Sequence, residues 1–518
     1  MTYAVLVGVI MLACMLFTGF NNITIGALNY FSCGVLWGFL GVIDGVSLSI
    51  WLMLLLCFGF VCWYTPHYLG GGVVSSDLIV IICVFVGVMW GLVLTGDFLT
   101  SLILWEYLGV VSFFLIIFYL SYLSLRASVV TLVSSRLGDV GLFMIIALAI
   151  SANVSFWLIG VCILLVVCTK SASFPLISWL LEAMRAPTPV SSLVHSSTLV
   201  AAGVWFSLRY DTAGLLDNED LLLTILVVSV VFTAVPSMFF FDLKKIVALS
   251  TSNNINWCLI YVLVGGVWLG LFQLICHGVS KCLLFMLVGD VMSGVGGSQA
   301  SNFSYSAPNY GGYGAFGLVC IILGLSGAPF IGVFFTKHCM LSSLGMLSNS
   351  ATVTIVFFCV LLSYLYSYRL CRILITPRCS ASLGVMYTCS ACSATYWWLF
   401  LNSLVCSSLD EFTYASVGSA AVITGFELTA CLVCWVAYDS VILANSSSSL
   451  FGVDVVVEFC YHVFYTTCEF TSFCLLRWDS RLLSAVKAPA VGSINWGHAV
   501  NVILIMSCLV LILMCALV

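Results

Sequence analysis

Six ionisable side chains stand isolated in long apolar runs of this chain. Glu106 lies in LILWEYLGVVSFFL, Lys170 closes VCILLVVCTK, and His195 sits in VSSLVHSSTLV. His277 and Lys281 are one helical turn apart in CHGVSK, and Lys337 ends GAPFIGVFFTK. Burying such groups is expensive, so an ionisable residue in an apolar run is by default a functional-site hypothesis. These residue types share one chemistry, reversible proton binding. Desolvation weakens the hold of a buried amine on its proton and a nearby carboxylate strengthens it, so moving the partner switches the proton affinity. Imidazole relays protons near neutral pH for the same reason. Spread over successive helices, such groups form a polar row suited to proton transfer. The competing reading is a set of isolated pairs that hold helices together, and for Lys170 a loop lysine reaching the interface. Arg136 and Asp139, at i, i+3 in SSRLGDVGLFM, can pair with each other. Lys244 and Lys245 begin a helix, where an interfacial position also explains them.

The elements that must position these groups are membrane helices. Hydrophobic residues make up 63% of the 518 residues and charged residues 7%, against about 25% charged in a soluble domain. The apolar runs are long and continuous, which excludes the short alternating strands of a β-barrel. Windows long enough to span fall near 3–20, 45–64, 77–96, 98–120, 128–150, 155–173, 189–209, 221–241, 243–264, 267–290, 312–345, 351–373, 384–406, 418–440 and 498–518, about fifteen in all. Residues 3–20 read as a retained helix rather than a signal peptide. Residues 21–44 leave a hairpin and a re-entrant segment open beside a span. Residues 292–311 and 445–449 are polar linkers. Residues 454–487 mix apolar residues with Glu458, His462, Glu469, Arg477, Asp479, Arg481 and Lys487, which suits an amphipathic helix lying along the membrane.

Pro175, five residues after Lys170, should break one helix, and Pro329, ahead of Lys337, a second. Two interrupted helices in comparable places point to an inverted-repeat bundle. The organisation expected is N-terminal helices and connecting hairpin over 1–76, a first half over 77–210 and a second over 211–375. C-terminal helices follow over 376–444, then a lateral helix with an anchoring span over 445–518. The 25 cysteines are scattered through apolar spans as small hydrophobes. Cys389 and Cys392, in TCSACS, lack a second pair or a histidine at ligand spacing, so no metal site is expected. A net charge of −5 is too thinly spread to imply a nucleic-acid partner.

At these residues the chain resembles the antiporter-like subunits of respiratory complex I, the NADH:ubiquinone oxidoreductase. The stretch KSASFPLISWLLEAMRAPTPVSSLVHSSTLVAAGV looks like their core motif, and Pro-Thr-Pro-Val-Ser followed by His195 separates one subunit type from two sisters. LWEYLGVVSF, RLGDVG, FDLKKIVALSTSNN, HGVSKCLLFM, APFIGVFFTK and LYSYRLCRI follow in the same order, so that the likeness covers about residues 45–375. It implies that Glu106 and Lys170 form the carboxylate–lysine pair of one half-channel, with His195 relaying between halves. Lys281, with His277 beside it, would be the central lysine of the second half, and Lys337 would lie nearest the exit. Asp139 and Arg136 would belong to the contact with the adjacent antiporter-like subunit, and 454–487 would be the lateral helix. The chain departs from the family at Gln273, where many members have a histidine, at His338, which replaces an acid after Lys337, and at Arg185-Ala186, which replaces an acid-glycine pair. The N-terminus and the lateral region are short by comparison, with one span missing before residue 45.

The expected fold is therefore an all-α polytopic membrane protein. The expected function is that of a proton-translocating membrane-arm subunit, the chain at the far end of that arm, in the mitochondrial inner membrane. No haem, flavin or iron–sulfur motif is present, and no GxGxxG follows a predicted strand, so the resemblance places NAD, FMN, iron–sulfur clusters and ubiquinone in partner subunits. Other complex I subunits and membrane lipids are the expected partners. Two other readings stay open: a subunit of a multisubunit cation/proton antiporter, and a structural membrane scaffold that does not pump. Buried charges that cost several kcal/mol each argue against the scaffold.

Overall fold

The structure, a computed structural model, describes residues 23–28, 39–150, 156–212, 219–264, 266–294, 296–301, 311–328, 333–347, 350–375, 392–407, 417–438 and 455–487. The first elements are two strands, β1 (Ile23–Leu28) and β2 (Phe39–Ile43), paired antiparallel with Ile23 opposite Ile43 and Leu28 opposite Phe39. The hairpin is thus the outcome among the readings open for residues 21–44. Past β2, Asp44 caps α1 (Gly45–Leu69). Its carboxylate accepts from the Ser47 amide at 2.8 Å and its own amide donates to Ser47 Oγ at 2.8 Å, a reciprocal box. Gly70, Gly71 and Gly72 all have positive φ, a reversal that side chains would strain, and turn the chain into α2 (Val73–Leu94).

After α3 (Phe98–Ile116), α4 (Tyr122–Ile150) and α5 (Phe156–Lys170) comes the expected break. The chain leaves helix at Lys170, crosses Ser171–Ile177 with a cis Phe174–Pro175 bond, and resumes as α6 (Ser178–Ala183). Next are α7 (Thr188–Leu193), a π-helical turn (Val194–Thr198) and α8 (Leu199–Arg209). The stretch expected to form the second half holds α9 (Glu219–Ser237), α10 (Leu243–Leu263), α11 (Val267–Gly294), α12 (Gly311–Ser326), α13 (Val333–Leu347) and α14 (Ser350–Ile375). The expected break at Pro329 lies outside the described residues, between the end of α12 and the start of α13. Two further helices, α15 (Cys392–Ser407) and α16 (Val417–Tyr438), pack on this half. A separate unit holds α17 (Val455–Lys487), a helix of 33 residues. The windows at 3–20 and 498–518, and Cys389, lie outside the described residues.

Eight helical runs among the described residues are long and apolar enough to cross a membrane: α1, α2, α3, α4, Thr188–Arg209, α10, α11 and the greater part of α14. Shorter apolar helices lie in α5, α9, α12 and α16. The chain is an all-α polytopic membrane protein, with the β1–β2 pair its one described sheet. Burial sorts the spans. Thr188–Arg209 and α10 are buried along their whole apolar windows and α11 along 94%, against 33% for α2 and 39% for α4. The three buried runs form the centre, so their polar residues meet protein rather than lipid. The outer helices turn Val80, Trp90, Phe114, Val133 and Phe143 outward, as lipid-facing surfaces require.

Candidate functional site

In the first half, α3, α4 and α5 bring Glu106, Arg136, Asp139 and Lys170 together. Arg136 Nη1 contacts the Glu106 carboxylate across the α3–α4 seam and lies 3.4 Å from Asp139 Oδ2. Lys170 is buried, its Nζ donates no hydrogen bond to protein, and it stands 5.1 Å from the Trp105 ring centroid. Of the carboxylates that attract it, Asp139 acts most strongly and Glu106 less. Lys170 thus makes no direct contact with Glu106, whose carboxylate pairs with Arg136 instead. The reason is helix geometry. Successive residues point about 100° apart, and the fully buried Trp105 takes the inward direction. Glu106 is thereby turned toward Arg136. Asp139, expected at a contact with a neighbouring chain, has a side chain only 5% exposed, whereas Arg136 is 41% exposed and reaches the surface.

Glycines set this geometry by close approach. A Cβ at Gly141 of α4 would stand 2.9 Å from the Cys162 carbonyl of α5. One at Gly203 of α8 would stand 3.0 Å from the Ser171 amide. The break after Lys170 is held the same way from its other side. Ser173 Oγ donates to Asn256 Oδ1 at 2.5 Å, and Ser252 Oγ donates to the Ala172 carbonyl at 2.7 Å. Both acceptor and donor on that side come from α10.

The same helix holds Lys281. Lys281 of α11 donates to Ser250 Oγ and, at 3.5 Å, to the Val247 carbonyl. His277 lies one turn earlier on α11, buried, with neither ring nitrogen bonded to protein, and Lys281 is the charge acting on it. His195 is likewise buried without a protein partner on either nitrogen, its ring centroid 6.3 Å from that of Trp179. Lys244 is the charge acting on His195, and its Nζ donates to the Ala186 carbonyl at 3.1 Å. The π-helical turn begins one residue before His195. Such turns displace the backbone hydrogen-bond register and recur at functional sites. Gly278 seats α11 against this turn, since a Cβ there would meet Met53 Sδ at 2.5 Å and Ser197 Cβ at 3.4 Å.

In the second half, Lys337 of α13 donates to the Ser326 carbonyl at 2.5 Å and to Ser363 Oγ at 2.7 Å, with its Nζ 4.7 Å from the Tyr364 ring centroid. Gly327, at φ +98, lets the end of α12 wrap against the lysine stem. Thr336 Oγ1 donates to Gln273 Oε1 at 2.7 Å, which joins α13 to the α11 face carrying His277 and Lys281. Gln273, where the resemblance expects a histidine, thus ties two helices together.

Two features escaped the sequence reading. Ser252 and Asn256 of α10 tie it to Ala172 and Ser173 of the first half, while Ser250 and Asn253 bond Lys281 and Val230 of the second, and the only signal was the polar run STSNN with Asn256 just past it inside an apolar helix. Glu427 of α16 is the charge acting on Lys337, and its signal was a lone acid in an apolar helix. Among the described residues no three metal-ligating side chains converge.

The family model described as NADH:quinone oxidoreductase/Mrp antiporter, TM, matches residues 95–364, which include all six isolated groups. The NADH-ubiquinone oxidoreductase chain 5 of Aedes aegypti is 35% identical over 355 residues, covering 63% of this chain and 59% of the relative. That of Ascaris suum is 32% identical over 338 residues, covering 62% and 61%. The chain thus spans about three fifths of the length of these relatives. Among solved structures, the Mrp complex from Dietzia sp. superposes at TM-score 0.72 with 20% identity, covering 98% of this chain and 59% of that one. The membrane-bound sulfane sulfur reductase, an archaeal respiratory membrane complex, superposes at 0.66 with 16% identity, covering 83% and 92%. These two likenesses establish the fold.

Proposed function

Because the chain belongs to the NADH:quinone oxidoreductase/Mrp antiporter family, we propose that it is a proton-translocating membrane-arm subunit of an NADH:ubiquinone oxidoreductase. The observation that carries this reading is the placement of the three lysines. Lys170, Lys281 and Lys337 come from α5, α11 and α13 and are 1%, 2% and 1% exposed; α10 bonds both Lys281 and the segment after Lys170, Gln273 ties α11 to α13, and two imidazoles are buried in the same bundle. A scaffold gains nothing from three buried amines, whereas a proton path needs groups that exchange a proton with a neighbour or with water. Buried polar atoms such as the His195 and His277 nitrogens are ordinarily met by ordered water, and water completes a path between groups beyond direct reach.

In this reading Asp139 and Glu106 tune Lys170, with Arg136 setting how much of each carboxylate is free. His195 relays between halves, His277 and Lys281 form the central step, and Lys337 lies toward release. A conformational or electrostatic signal from partner subunits, which would hold NAD, FMN, the iron–sulfur clusters and ubiquinone, would drive these steps. The mitochondrial inner membrane is the location that the animal relatives suggest. The Val455–Lys487 helix would lie along the membrane surface, since it mixes apolar and charged residues throughout.

The test is proton translocation per NADH oxidised in membranes carrying Lys281→Met, with assembly followed by native electrophoresis. Loss of pumping in an assembled complex is the expected result. Normal pumping in that variant would show the row to be structural.

A further inference from the structure

Lys337 has two neutral acceptors, the Ser326 carbonyl and Ser363 Oγ, and an aromatic face, that of Tyr364. Neutral acceptors alone do not balance an ammonium buried in a membrane helix, which needs a counter-charge. Among the described residues Glu427 supplies it: Lys337 and Glu427 are each the charge acting on the other. Glu427 is the one charged residue of α16, VGSAAVITGFELTACLVCWVAY. A lone carboxylate there needs a partner as much as the lysine does. The Tyr368 hydroxyl donates to Glu427 Oε1 at 3.0 Å. Tyr368 lies one turn beyond Tyr364, so α14 presents one tyrosine to the lysine and the next to the carboxylate.

The position of Glu427 is as informative as its partner. α16 packs against α13 and α14. Its Ile423 and Ala430 are buried, while Leu428, Leu432 and Trp435 are exposed. Glu427 is half-buried on the seam between these two faces. It therefore stands at the edge of the buried face, beside the helices that carry Lys337 and the two tyrosines.

We propose that Glu427 accepts the proton that leaves Lys337. This rests on the pumping reading given above. The N–H bond of the ammonium breaks, with the electron pair kept by nitrogen, and the proton passes through intervening water to form an O–H bond on Glu427. The carboxylic acid then loses its proton to water along the path and returns to carboxylate, while the neutral amine is recharged from the row. The transfer turns an ion pair into a neutral pair and leaves no uncompensated charge buried, which is what a low-dielectric site demands. Tyr368 is a positioning residue, since its hydroxyl serves the carboxylate and the acid equally as donor.

The experiment uses the assembled complex in membranes, with Glu427→Gln, Glu427→Asp and, as control, Lys281→Met. Glu427→Gln is expected to lower proton pumping about tenfold or more, the scale set by removing an acid–base group, and Glu427→Asp to restore part of it. The infrared difference spectrum of turnover should also lose a carboxylic C=O band in Glu427→Gln, a signal that a purely structural carboxylate does not give. If Glu427→Gln does not assemble, Glu427→Leu, which places an apolar residue in an apolar helix, decides the same question. Unchanged pumping and an unchanged infrared spectrum in the assembled Glu427 variant, with pumping lost in Lys281→Met, would overturn the proposal and leave the reading of the row intact. Unchanged pumping in Lys281→Met would instead sink the row and this proposal with it.

Discussion

Replacing Lys170 by Met separates a proton-transfer role from a packing role. The structure gives the ammonium no protein hydrogen bond, only the Trp105 face at 5.1 Å and the attraction of Asp139 and, less, Glu106. A desolvated cation–π contact contributes about 2 kcal/mol. Keeping an ion in a low-dielectric site costs several kcal/mol even after relaxation. Met is unbranched and close in length, so the cavity stays filled, and swaps of this kind usually cost less than about 1.5 kcal/mol. Asp139 is left with Arg136 at 3.4 Å, so its charge is not stranded. These terms oppose one another, and the net change in stability should fall within about 2 kcal/mol of zero. The proton path loses an acid–base group worth about 10²- to 10⁴-fold in rate. The assay is proton uptake by sealed membranes per NADH oxidised, beside the amount of assembled complex on native gels. Normal complex with pumping reduced about tenfold or more is the expected outcome. Full pumping would show Lys170 to be dispensable. Loss of assembly in Lys170→Met, with assembly kept in Lys170→Arg, would show that the charge holds helices together instead.

Two further outcomes test the local geometry. Because Asp139 attracts Lys170 more strongly than Glu106 does, Asp139→Asn should impair pumping more than Glu106→Gln in equally assembled complexes, and the reverse order would restore the direct Glu106–Lys170 pair. Gly141→Ala places a methyl 2.9 Å from the Cys162 carbonyl, a backbone atom that cannot rotate aside, so it should cost about 1–3 kcal/mol by overpacking; an unchanged thermal unfolding midpoint would show that α4 and α5 separate freely.

Much of this protein was legible from letters alone because the signals are local. A chain with 7% charged residues has to sit in lipid, and runs of roughly twenty apolar residues mark where it crosses. Lys170, Lys281 and Lys337 announced themselves as single charges in such runs, and Pro175 announced the end of a helix because it removes a donor wherever it stands. Tertiary structure decided what each charge faces. Trp105 and Glu106 are adjacent in sequence, yet inward packing of the indole turns the carboxylate to Arg136, and no periodicity in LILWEYLGVV states which of the two faces the core. The run STSNN reads as polar, but its meaning depends on α10 being buried on all sides, so that its hydroxyls and amides find Ala172, Val230 and Lys281 instead of water. Glu427 lies 90 residues beyond Lys337 in the chain and comes near it only because α16 packs on α13 and α14. Hydrophobicity and backbone chemistry belong to single segments and are written in sequence, whereas the pairing of buried charges belongs to helix faces and exists only once the helices have packed.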